Sequence, residues 1–482
     1  MDRPFEFPLA LPQRGSRQRM AALHGQLRAA ILDGRLKPGL RLPATRALAE
    51  ALEVSRNTVV AAYDLLLAEG YIEARRGAGN FVANLAARRG ERHARRNAAS
   101  SDNRLAPYWR SLAAVPAPMQ MGAVAYDFRL GTPDSRSFPY DIWRRLSSRA
   151  LRQLSKTAQL YDHASGRLAL REAIAQHISF ARAVSCEPED VIVTSGAQQA
   201  FDLLARVLVT PGRTVVAVED PGYPSVRAVF LAAGARVVGV PVDEEGVIVE
   251  QLPRDANVIY VTPSHQFPLG VVMSPRRRVA LLAFARARNA LVIEDDYDSE
   301  FRYSGRPLDA LQTLDRDDSV CYVGTFSKCM LPTLRLGYAV VPPWLHDAFV
   351  NAKHQADLHG DVLTQNTLAT FIAEGHLVRH VRHMRKLYAE RRDALLQALQ
   401  RHGKERLRAW PSDAGLHVAA NLDTNTDTRT LLMRAMQNGI RLESLNAYAV
   451  ENASVNGLAF GLGAIEAANI DDAVRKLIKL MA

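Results

Sequence analysis

Cysteine is scarce in this 482-residue chain: Cys186, Cys321 and Cys329 are scattered and odd in number. That excludes a disulfide framework and a cysteine-built zinc site, and fits a reducing cytoplasm. No apolar run reaches the length of a membrane span, and the basic, polar N-terminus lacks a signal-peptide core. Acidic residues are unevenly short. Residues 1–110 hold 10 Asp/Glu against 19 Lys/Arg, whereas the other 372 hold 40 against 42. Nearly all of the net charge of +11 therefore sits on less than a quarter of the chain. Such asymmetry points to a polyanion partner for the N-terminal segment. The length exceeds one compact core, so two or three domains are expected.

Residues 1–18, with Pro4, Pro8, Pro12 and Gly15, read as an extended arm. Met20, Leu23, Leu27, Ile31 and Leu32 then form a helical stripe that stops at Asp33-Gly34. Thr45 is placed to cap a second helix over 46–52, and Ser55 a third running to about Glu69. Val59, Tyr63, Leu66 and Leu67 would face inward on the third. Residues 71–75 and 80–82 make a β-hairpin around Arg76-Gly77-Ala78-Gly79. Two helices joined by a short turn, the second opening on polar residues, suit entry into a DNA major groove. There Arg56 reaches a guanine edge, Asn57 a base, and Ser55 and Thr58 the phosphates. Arg76 and Gly77 at the hairpin tip reach the backbone or minor groove. Residues 85–125 form a linker whose dense basic run, 88–96, either adds salt-sensitive phosphate contacts or merely spaces the domains.

From Tyr126 the pattern alternates. Strand-like runs at 191–194, 214–218, 236–241, 257–261, 291–294, 320–323 and 337–341 are separated by helical stretches such as 197–208 and 276–288. That spacing predicts an α/β domain with a mostly parallel sheet, helices on both faces, and ligands at the carboxyl ends of the strands. Three such ends carry chemistry. Residues 191–199 run from a strand through Ser195-Gly196 into a helix whose N-terminus suits a phosphate. Residues 290–298 deliver Asp295, Asp296 and Tyr297, a carboxylate for a protonated ring nitrogen and a phenol for a ring oxygen. Residues 324–338 bring Thr325, Ser327 and Lys328, with Arg335 seven positions beyond the lysine. Pyridoxal phosphate requires a Schiff-base lysine, a pyridinium partner and a phosphate cup. Cys329 beside the lysine reads as packing rather than a redox sensor. Residues 344–399 are largely helical, and 402–482 read as a small C-terminal domain.

The stretches LPATRALAEALEVSRNTVVAAYDLLLAEGYIEARRGAGNFV, TSGAQQAFDLLAR, EDPGYPS, TPSHQFPLG, EDDYDSEFRYSGRPL and GTFSKCMLPTLRLGY carry a resemblance. Residues 19–84 resemble a GntR-type winged helix, and 126–482 a fold-type I aminotransferase domain (126–345 large, 346–482 helical and small). Their fusion resembles the MocR family of transcriptional regulators. The resemblance implies Lys328 as the Schiff-base lysine, Asp295 (alternatively Asp296) on the pyridine nitrogen, Tyr297 on the ring hydroxyl and Tyr223 stacked on the ring. It assigns Gly196, Ala197, Gln198, Thr325, Ser327 and Arg335 to the phosphate, with Tyr161 lent to it by a partner subunit. It also makes Arg46 a DNA contact, and puts Ser264 and His265 where aminotransferases place an asparagine.

One departure matters. Where the family carries a C-terminal arginine for the ligand carboxylate, Gly457-Leu458-Ala459-Phe460-Gly461 puts Ala459. Losing a bidentate charge pair removes about 2–4 kcal/mol of carboxylate recognition. Pro224 and Ser225, after Tyr223, also lack positive charge. The expectation is a cytoplasmic regulator that binds a double-stranded DNA operator as a head-to-tail homodimer and senses pyridoxal 5′-phosphate or a small amine. The alternative is an active aminotransferase carrying a DNA-binding arm.

Overall fold

The computed structural model describes residues 5, 7, 9–12, 18–84, 104–112, 124–157, 160–304, 308–411, 413–423, 426–450 and 455–481. The chain divides into two units, Met1–Val115 and Pro116–Ala482. The basic run 88–96 and most of the expected linker lie outside the described residues.

In the first unit α1 (Arg19–Leu32), α2 (Thr45–Ala51) and α3 (Arg56–Ala68) precede a hairpin of β1 (Ile72–Arg75) and β2 (Gly79–Val82). Leu23, Leu27, Ala30 and Ile31 of α1 meet Val59, Ala62, Tyr63 and Leu66 of α3 in one core. Leu32 points outward, because it stands about 100° round the helix from Ile31. Leu67 is only half-buried. Ser55 caps α3 as its sequence suggests, its hydroxyl accepting from the Thr58 amide at 3.1 Å. Thr45 does not cap α2. The helix begins on it, since the Leu48 amide already bonds the Ala44 carbonyl at 2.9 Å and Ala44 offers no side-chain cap. The N-terminal stretch is also less free than its prolines suggest. Phe5 is buried in the winged-helix core, and Gln26 of α1 exchanges two hydrogen bonds with the backbone of Ala10.

The second unit is built on an eight-stranded sheet. In chain order its strands are β3 (Val191–Thr194), β4 (Val215–Asp220), β5 (Arg236–Asp243), β6 (Gly246–Val247), β7 (Val258–Val261), β8 (Leu291–Asp296), β9 (Val320–Thr325) and β10 (Gly337–Val340). They lie side by side as β3-β10-β9-β8-β7-β4-β5-β6. The five from β9 to β5 run parallel. β10 runs antiparallel to both its neighbours, so the sheet is mixed. All of these strands except β5, of which only Val240 is buried, are buried almost throughout, as expected when helices cover both faces. Helix α4 (Ala197–Leu208) follows β3 directly. A smaller four-stranded sheet orders Leu407–Ala409, His417–Leu422, Gly457–Gly461 and Glu443–Ser444. The segment at 126 does not join the large sheet. Tyr126–Asp127 pairs in parallel with Ile440–Arg441, and the Phe128 ring packs edge-on against Phe460 at 5.4 Å. From there the chain crosses to the large sheet's strand ends.

Candidate functional site

The carboxyl ends of β3, β7, β8 and β9 converge on a cavity of about 170 Å³. Of the residues singled out in the sequence, Ala197, Gln198, Tyr223, Asp295, Tyr297, Thr325, Ser327, Lys328 and Arg335 line it. Gly196 lies just behind, against the Arg335 guanidinium. Tyr161 stands apart, 83% exposed, with its ring 5.9 Å from His359.

Lys328 follows the end of β9, and its Nζ donates to the Gly131 carbonyl at 2.9 Å. A Cβ at residue 131 would lie 2.6 Å from that nitrogen, and the backbone there is left-handed, φ 66°, a conformation that favours glycine. Burial pushes the Lys328 amine below its ordinary proton affinity and Arg335 adds to this, while Asp298 and Asp295 pull the other way. The neutral amine is the nucleophilic form.

Asp295 and Asp296 are adjacent on β8 and therefore face opposite sides of the sheet. Asp295 lines the cavity. Its Oδ2 accepts from Tyr260 Oη at 2.6 Å, and its buried Oδ1 has no partner. Burial first, then Asp296 and Asp298, lift its carboxyl to about 7 against the lowering by Tyr260 and Lys328. Asp296 is committed elsewhere, to Arg182 Nε at 2.7 Å and to the Tyr322 hydroxyl. Arg182 in turn donates to Ser264 Oγ at 2.5 Å. Ser264 thus partners a buried arginine and does not itself line the cavity.

Arg335 has a left-handed backbone, φ 50°, and donates to the Ser195 carbonyl at 2.7 Å. Its guanidinium and the first turn of α4 face the cavity together. A helix N-terminus leaves its first N–H groups unclaimed and carries a positive dipole end, so this corner is a cradle for an anion. Thr325 and Ser327 add hydroxyls.

This donor set fits pyridoxal 5′-phosphate. An unpartnered buried carboxylate oxygen suits a protonated ring nitrogen, a desolvated lysine suits an aldehyde, and an arginine over a helix start suits a phosphate. Gly131, Phe201, Tyr260, Phe267, Pro332, Leu416 and His417 also line the cavity and were not foreseen. Gly131, Leu416 and His417 arrive from distant stretches with no local motif. Tyr260 was legible in principle, as the phenol one residue before the end of a buried strand.

In the first unit Arg46, Ser55, Arg56, Asn57, Arg76 and Gly77 are exposed and Thr58 is half-buried. Arg56, Asn57 and Thr58 open α3, and Arg76-Gly77 form the turn of the β1–β2 hairpin. Arg75 is less available, its guanidinium lying over the Phe81 ring at 4.4 Å.

Known proteins match both units. The family of bacterial regulatory proteins, gntR family, matches residues 20–82, and aminotransferase class I and II matches residues 131–455. The fold and pocket thus define a winged-helix regulator fused to an aminotransferase-like, pyridoxal-phosphate-type domain. Among curated relatives, a probable rhizopine catabolism regulatory protein MocR of Rhizobium meliloti is 38% identical, over 94% of this chain and 92% of its own. The pyridoxine biosynthesis regulator PdxR of Corynebacterium glutamicum is 34% identical over 95% of each. A solved multiple substrate aminotransferase from Thermococcus profundus superposes with a TM-score of 0.72 at 26% identity, over 79% of this chain and 98% of that one. The chain belongs to the MocR-type family of transcriptional regulators. No helix among the described residues is long and apolar enough to cross a membrane.

Proposed function

We propose that this regulator binds an operator through its winged helix and senses pyridoxal 5′-phosphate, or a small amine meeting it, in the Lys328 cavity. The observation that carries this reading is the buried amine of Lys328 facing an unpartnered carboxylate oxygen and an arginine–helix cradle, on one chain with a DNA reader. The cofactor supplies an aldehyde that condenses with amines and a ring that draws electrons. The chain supplies the rest. Lys328 offers the amine, Asp295 accepts from the ring nitrogen, Tyr297 meets the ring hydroxyl, and Tyr223 covers the ring. Arg335, Thr325, Ser327, Gly196, Ala197 and Gln198 hold the phosphate.

The effector lacks a carboxylate, or is the cofactor itself. Ala459 is fully buried among Leu269, Val271, Ala419 and Leu445, leaving no cation there. Its partner across the sheet is Glu443, so a carboxylate emerges on the same face. That carboxylate accepts from the Leu130 amide at 3.0 Å and from the Tyr448 hydroxyl, beside the cavity wall. The same features speak against the alternative of an aminotransferase acting on α-amino acids. The exposed Tyr161 supports a homodimer in which each subunit lends this residue to the other's phosphate. Three free cysteines fit a cytoplasmic protein.

The test is binding of the chain's own operator with and without pyridoxal 5′-phosphate, then with a panel of amines and amino acids. A changed affinity or footprint with the cofactor, altered by amines more than by amino acids, is expected. Identical binding in every case defeats the sensor reading, since a ligand shifts a conformational balance only by its differential affinity.

A further inference from the structure

His265 is buried between two groups of β8's C-terminal extension. Its Nδ1 lies 2.9 Å from the Tyr297 hydroxyl and 3.1 and 3.2 Å from the two oxygens of Asp298. Asp298 is held in turn by the Leu416 amide at 3.0 Å. His265 Nε2 is buried without a partner. A Cβ on Gly415 would come within 1.9 Å of the imidazole and 2.6 Å of the Asp298 carboxylate, so the small domain closes on this pair with the one residue that leaves it room.

A carboxylate facing Nδ1 fixes where the imidazole hydrogen sits. An unprotonated Nδ1 would set its lone pair against the Asp298 oxygens, so Nδ1 carries the hydrogen and donates it. Tyr297 Oη, 2.9 Å from the same nitrogen, then shares that one hydrogen with the carboxylate as a second acceptor. Having accepted, the phenol keeps its own hydrogen for another acceptor, and no other partner of that hydroxyl is present among the described residues. Tyr297 lines the cavity.

Resting on the cofactor reading above, we infer that His265, oriented by Asp298, is a positioning residue that turns the Tyr297 hydroxyl into an obligate hydrogen-bond donor toward the cofactor's ring oxygen. The donated bond favours the deprotonated form of that oxygen. Other groups set the local field: Asp295, Asp296 and Glu219 around Tyr297, and Lys328 and His417 on the same cavity. None of these fixes the direction of the Tyr297 hydrogen.

The experiment titrates the visible absorption band of the full-length protein loaded with pyridoxal 5′-phosphate. It compares the parent with His265→Asn, His265→Gln, Tyr297→Phe and the His265→Gln/Tyr297→Phe double variant. Asn keeps a donor near the Nδ1 position and is expected to titrate like the parent. Gln moves the donor out toward Nε2 and is expected to raise the midpoint by about one pH unit, a tenfold gain in proton affinity. Tyr297→Phe should shift it in the same direction, and the double variant no further. A merely structural His265 would alter the unfolding midpoint and leave the titration in place. A coloured parent with His265→Gln unshifted, or with additive shifts in the double variant, overturns this inference alone. A parent that stays colourless overturns the cofactor reading and this inference with it.

Discussion

The two units keep their working residues in opposite surroundings. In the winged helix Arg46, Arg56, Asn57, Arg76 and Gly77 are exposed and their neighbours are ordinary. In the aminotransferase-like unit Asp295, Thr325 and Ser327 are buried, and unpaired buried atoms sit beside displaced proton affinities. A surface that meets a large polyanion needs only side chains aimed outward, because the partner brings its own charge and rigidity. A pocket for a small molecule must hold polar groups out of water before the ligand arrives, and that costs stability. The first kind of site can be lost without harm to the fold. The second is set within the core, where a change can shift stability in either direction.

The sharpest break in this comparison is Lys328→Ala. It removes the amine that takes the cofactor, and the visible band of the loaded protein is expected to vanish while operator binding without cofactor persists. Next comes the contrast on β8. Asp296→Asn strips the counter-charge from buried Arg182 and is expected to cost about 3–5 kcal/mol in chemical unfolding. Asp295→Asn should leave the fold standing and weaken cofactor retention. It should also change the pH response of the cofactor-free protein. The Asp295 carboxyl rests near 7, above its ordinary value, so its contribution to stability is greatest in acid and is lost as pH rises toward 7. The stability of the parent relative to Asp295→Asn is therefore expected to fall between about pH 4 and 7. Smaller is Arg56→Ala, expected to weaken operator binding by about 1–3 kcal/mol and relax one base preference, with the absorption band unchanged. Smallest is Tyr161→Phe, expected to leave unfolding unaffected and reduce cofactor affinity by about 1 kcal/mol, measured by equilibrium dialysis.

Legibility followed the same division. The runs 191–194 and 197–208 could be bounded from sequence because a run of β-branched residues, a glycine and an amphipathic helix leave little choice. The choice between Asp295 and Asp296 could not. Two adjacent carboxylates are equivalent on paper, and only strand alternation together with Arg182, 114 residues away, separates them. Gly131, Leu416 and His417 were hidden for a related reason, since tertiary closure rather than local pattern brings them to the cavity. The antiparallel sense of β10 was equally silent, because a buried strand shows the same apolar run in either direction. Thr45 misled because a threonine just before a helix and one just inside it read alike.

The carbonyl of Gly131 takes its hydrogen bond from Lys328 and lies five residues past Tyr126. Whatever engages that nitrogen competes with the hydrogen bond that tethers the turn at Leu130-Gly131.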